Sequence, residues 1–149
     1  MSSKKPSLFC QGLFILLIHS ALCAEVSKTN METQIIERIA TSLFPQQKIT
    51  AWGETADQKN MIRQSAKIKE ASDSSDADLI IVSKHLPQNL SSNCVIITTE
   101  YTLLKKDERI IGAFFWQKGR PNLLFLRPRL QKANVKLGHE FDKYIEDKL

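Results

Sequence analysis

Cysteine, histidine and glycine are scarce in this chain, and each scarcity closes off a class of chemistry. Of three cysteines, Cys10 and Cys23 lie in a leader-like start, which leaves Cys94 by itself in the exported product and allows no internal disulfide. Cys94 opens the apolar run 94–97 and reads as a small buried hydrophobe, with an intermolecular bridge in a homodimer as the alternative. Of three histidines, His19 belongs to the leader; His85 and His139 have no metal-ligand spacing and lie in no nucleophile motif. A hydrolase would need a deep pocket joining one of them to an acid and a nucleophile. The five glycines form no GxGxxG phosphate loop. Neither a catalytic residue, a metal site nor a cofactor follows from these residues. Charge of one sign is missing too: the net charge of +5 falls to +3 once Lys4 and Lys5 leave with the leader. Acids are interleaved with bases, without the clustered cations that nucleic acid requires.

What is present begins with export. Lys4 and Lys5 precede an apolar stretch over 8–22, and Ala21-Leu22-Cys23-Ala24 supplies a small-residue cut site, so 1–24 reads as a cleaved signal peptide and the protein as periplasmic. Gln11 and His19 interrupt the stretch, which is too short for a spanning anchor. The remaining residues, 25–149, suit one domain with one core.

Periodicity then predicts the elements. Met31, Ile35, Ile36, Ile39, Ala40 and Leu43 recur at helical steps, with Asn30 as cap and Pro45 as stop. Residues 48–52 alternate as a strand, 55–64 form a polar helix capped by Thr55 or Asp57, and 66–71 are a weaker strand. The acidic loop 72–76 with Asp78 lacks the order of a calcium loop and reads as a solvated turn. Residues 78–83 and 94–98 are uninterrupted apolar runs, the pattern of strands buried on both faces; a connection of this length favours parallel pairing. Residues 101–107 are a short helix or turn. Residues 110–117 and 122–126 form a hairpin about the turn 118–121, followed by helices over 127–134 and 140–149. The fold is predicted as a three-layer α/β sandwich: a mostly parallel central sheet, a C-terminal antiparallel hairpin and two terminal helices.

Two surfaces are candidates for function. Three consecutive rings, Phe114-Phe115-Trp116, must alternate between strand faces, so at least one points away from the core. With Lys118, Arg120, Arg127 and Arg129 as a cationic rim, a partner-binding face forms from Phe114, Trp116, Lys118, Arg120 and Arg127. The second surface is a ligand site at the carboxyl ends of the central strands, with Ser83, Lys84, His85, Thr98 and Tyr101 as contacts.

The order of these features resembles the YfiR-like family of periplasmic regulators. An amphipathic first helix leads to a segment ending in Trp52. Ala77-Asp78 then opens an apolar strand closing on Ser83, and a second buried strand follows at 95–98. A hairpin from Gly112 carries a Gly119-Arg120 turn ahead of the terminal elements. The likeness spans most of 31–145. It departs in lacking cysteine pairs and in ending the hairpin on Leu126-Arg127-Pro128, so redox control by disulfides is not implied. The resemblance implies a non-enzymatic binding protein that restrains a membrane-bound signalling protein, such as a diguanylate cyclase, through that partner's periplasmic part. The alternative is a periplasmic solute-binding protein, similar to one lobe of such receptors, with a small-molecule ligand at the strand ends.

Overall fold

The computed structural model describes residues 28–45 and 47–149; the leader over 1–24 lies outside them. Seven strands form one sheet in the order β2-β1-β3-β4-β5-β6-β7. They are β1 (Ile49–Gly53), β2 (Ile68–Glu70), β3 (Leu79–Val82), β4 (Val95–Thr98), β5 (Ile110–Gln117), β6 (Arg120–Leu126) and β7 (Ile145–Glu146). The first five run parallel, β6 is antiparallel to β5, and β7 runs parallel to β6. The structure is therefore an α/β sandwich of the expected class.

Side-chain alternation along the strands divides the core in two. On one face Ala51, Leu79, Ile81 and Ile97 pack under helix α1 (28–43) and helix α2 (Ala56–Gln64) through Ile36, Ile39, Ala40, Met61 and Ile62. On the other, Ile80, Val82 and Ile96 are covered by Leu104 of helix α3 (Tyr101–Lys106) and by Leu86 and Leu90 of the connection between β3 and β4. Every residue of β3 and β4 is buried, as strands with both faces covered must be. Each fully buried Ile, Leu or Val contributes about 1.5–3 kcal/mol.

Local chemistry fixes several boundaries. Thr55 caps α2 with a capping box: its hydroxyl accepts from Gln58 N–H at 3.3 Å, and Gln58 Oε1 accepts from Thr55 N–H at 3.0 Å. Two acids of the 72–78 loop have structural partners. Asp73 caps the one-turn helix Ser74–Asp76, and Asp78 Oδ2 accepts from the backbone N–H and hydroxyl of Thr50 (2.9 and 2.8 Å), tying β1 to β3.

Four boundaries differ from the sequence prediction. Helix α1 already runs at Lys28, the first described residue, so Asn30 lies inside it; this part of the helix is held by Glu32, which accepts from Trp116 Nε1 at 2.6 Å, a contact 84 residues apart. The hairpin turn is two residues, not four. Lys118 and Gly119 both have positive φ (50° and 72°), the type I′ conformation that matches strand twist. Pro121 thus lies inside β6 opposite Trp116. Alternation of ladder bonds turns its nitrogen toward the outer edge, where no donor is required. The last helix is replaced by a 3₁₀ segment (His139–Tyr144), which buries Phe141 edge-on to Phe125 at 5.9 Å, and by β7. An open edge of β6 is more favourably paired by a short strand than left bare. Helix α4 (Arg127–Lys132) stops earlier than predicted. Its Arg129 reaches back, Nη1 donating to the carbonyls of Leu104 (2.8 Å), Asp107 (3.0 Å) and Ile110 (2.8 Å).

Candidate functional site

β1 connects through α2 to β2 on one side, whereas β3 connects to β4 on the other. The connections leaving the carboxyl ends of β1 and β3 therefore diverge, and open parallel sheets bind ligands in the crevice this creates. An open cleft of about 870 Å³ lies there. Its floor comes from the strand ends: Thr55 after β1, Ser83 after β3, and Thr99, Glu100 and Tyr101 after β4. One wall is α2 with Asp57, Gln58 and Met61; another is α1, through Lys28 and Glu32. β5 is longer than its parallel neighbours, so its last four residues project past the sheet and close the cleft with Phe115 and Trp116.

Gln58 organises the floor. It is 4% exposed, and its Nε2 donates to Thr99 Oγ1 at 3.3 Å while its Oε1 serves the helix cap. Trp116 is locked by Glu32, lies edge-on to Phe114 at 6.4 Å, and carries the Lys28 ammonium 5.2 Å from its ring centroid. Tyr101 lies 5.4 Å from Phe115 and carries the Lys105 ammonium at 4.6 Å.

Glu54 occupies the switch point itself. Its Oε2 accepts from the amides of Ser83 (2.7 Å) and Lys84 (2.8 Å), and its Oε1 from the amide of His85 (3.1 Å). Burial pushes the carboxyl up, but the amides of Lys84, Ser83 and His85 and the Ser83 hydroxyl outweigh it and hold Glu54 below its ordinary value. Three consecutive N–H groups converging on one anion make a nest. Here the anion belongs to the chain.

The predicted ligand contacts are accordingly divided. Ser83 and Tyr101 line the cleft. Lys84 and His85 do not: they contribute backbone amides to Glu54, and the His85 ring is 86% exposed, 3.7 Å from Glu54 Oε1. Thr98 is fully buried, its hydroxyl accepting from Glu100 N–H, so its neighbour Thr99 faces the cleft instead.

The predicted partner face is divided as well. Phe114 is 2% exposed and belongs to the core. Trp116 is half-buried in the cleft wall, and Lys118 and Arg120 are exposed at the hairpin tip. Arg127 pairs with Asp147 at 2.7 Å, at the far end of β6, about 23 Å away along a strand rising ~3.3 Å per residue. The five residues do not form one surface.

Cys94 is half-buried, and burial pushes its thiol up, which lowers the thiolate fraction available for bridging. Arg63 and Glu70, 2.6 Å apart across the α2–β2 edge, and Arg109 with Asp107 at the start of β5 are surface pairs away from the cleft.

Lys28, Glu32, Glu54, Gln58 and Thr99 were not predicted as site residues. The Thr55-x-x-Gln58 capping spacing placed Gln58 at a helix start next to a strand end, the one local signal for any of them. No family model, curated protein or solved structure matches this chain.

Proposed function

We propose that this protein is a non-enzymatic binding domain that takes a small molecule into the cleft at the ends of β1, β3 and β4. One observation carries the reading: the cleft sits at the topological switch point and converges hydroxyl, amide and aromatic side chains from five elements. Binding rather than turnover is favoured by the histidines. The rings of His85 and His139 are 86% and fully exposed, and neither lines the cleft. The periplasm, reached by the leader over 1–24, is the proposed location. Thermal denaturation in the presence of metabolites tests the assignment, because a ligand of the folded state alone raises Tm with concentration. A saturable rise that is lost in Gln58→Leu is the expected result; a panel that shifts nothing counts against it.

A second reading is favoured by the projecting hairpin. Its tip exposes Lys118 and Arg120 beyond the sheet edge, a shape suited to docking on an acidic partner. Under this reading the domain restrains a membrane-bound signalling protein in the manner of the YfiR-like regulators. Lys118→Ala with Arg120→Ala should then release the periplasmic part of a membrane-bound diguanylate cyclase in a pull-down; unchanged capture removes the hairpin from the mechanism.

A further inference from the structure

We infer that the cleft is selective for a small organic cation, an amine or guanidine carrying further polar groups, and that Glu54, by occupying the switch-point amides beside it, leaves no amide nest for an anion. The inference rests on the cleft being a small-molecule site and names what enters it.

The exclusion of anions comes first. In open parallel sheets the amides beyond a strand end at the switch point are the natural donors to a phosphate or carboxylate. Here those of Ser83, Lys84 and His85 are all directed at Glu54, at 2.7–3.1 Å. The nest beside the cleft therefore has no free amide donor for an anion.

The wall charges point the same way. The chain as a whole is basic, at +5, yet the ionised groups lining the cleft are Lys28, Glu32, Asp57 and Glu100, a local balance of −2. Lys28 is already engaged, 3.9 Å from Glu32 and stacked over Trp116. Among the described residues, the Asp57 and Glu100 side chains have no hydrogen-bond or ion-pair partner; both residues are exposed and both line the cleft, Asp57 from α2 and Glu100 from the segment after β4. A concave site of net negative charge concentrates cations.

The aromatic wall completes the chemistry. Ring faces attract cations through their quadrupole, and the chain's own ammonium groups already sit on Trp116 and Tyr101. Gln58 and Thr99 supply neutral donors and acceptors at the floor for the ligand's remaining polar groups.

Isothermal titration of the whole chain with putrescine, arginine and choline, against inorganic phosphate, acetate and glucose, tests the assignment. At least one of the three cations should bind saturably, more weakly at high salt. Glu100→Gln alone should weaken it several-fold, and Asp57→Asn with Glu100→Gln at least tenfold, with Tm in the absence of probe unchanged. Glu54→Ala, if folded by circular dichroism, should gain phosphate binding that the parent lacks. Phosphate, acetate or glucose binding the parent while no cation does, with loss in Gln58→Leu, overturns the cation assignment and leaves the cleft as a binding site. Cation binding undiminished in the double variant also overturns it. No saturable response from any of the six overturns both.

Discussion

Glu54 and Arg129 are two charged side chains whose partners are almost all backbone. Both hold chain segments that no regular element would hold. Glu54 fastens the start of the β3–β4 connection to the end of β1, and because its folded carboxyl lies below the ordinary value of 4.5, its contribution has a defined pH dependence. The folded state binds the proton less readily than the unfolded chain, so the stabilisation is complete above about pH 4.5 and is lost as pH falls through the lower folded value. Urea denaturation of Glu54→Gln between pH 3 and 7 should show a loss of about 1–3 kcal/mol at neutral pH and a shallower acid limb than the parent. Equal slopes would assign the acid sensitivity elsewhere. Arg129 joins three carbonyls from α3, its exit and β5. Arg129→Met should cost about 1–3 kcal/mol, since the part-buried acceptors lose their donor, and Arg129→Lys should recover part of it in the same denaturation assay.

The β5–β6 hairpin separates two glycine requirements that look alike in sequence. Gly119 needs its positive φ for the type I′ turn but has open space around it, so Gly119→Ala should cost about 1 kcal/mol through backbone strain alone. Gly112 has no such φ; a Cβ there would collide with the Phe125 ring and the Leu124 carbonyl oxygen. Gly112→Ala should therefore cost more, roughly 1–3 kcal/mol from overpacking, and equilibrium unfolding of the two variants should rank them in that order. Helix α2 and strands β3 and β4 were legible because their signals are local: a capping residue in the first, unbroken apolar runs in the others. Strand β7 was not. Two residues carry no period, and they are extended because β6 offers an open edge that Phe141, packed on Phe125, brings within reach.

The assembled sheet is most secure at its centre and least at its margins. Every residue of β3 and β4 is buried between two covered faces, whereas β2 and β7 are short edge strands. Hydrogen exchange should accordingly find the amides of Ile80, Ile81, Ile96 and Ile97 exchanging only through global opening, with β7 and the hairpin tip exchanging by local opening. Comparable protection at edge and centre would contradict this gradient. The cleft lies between these regimes: its floor is anchored in the rigid strand ends, and its Trp116 wall rides on the projecting part of β5.

Composition and periodicity were enough to set the class of fold, the positions of the central strands along the chain and the existence of a terminal hairpin, because a residue's affinity for water and a strand's repeat of two are properties of neighbours in the chain. They also named the carboxyl ends of those strands as one of two candidate surfaces. Which side chains gather there was decided by contacts between residues far apart: Glu54 with the 83–85 amides, Gln58 with Thr99 across 41 positions, Trp116 with Glu32 across 84. Such pairs leave no mark on local patterning. A carboxylate at position 54 reads the same whether it faces water or fills a nest, and only the folded sheet, by bringing the ends of β1 and β3 side by side, gives it three amides to hold.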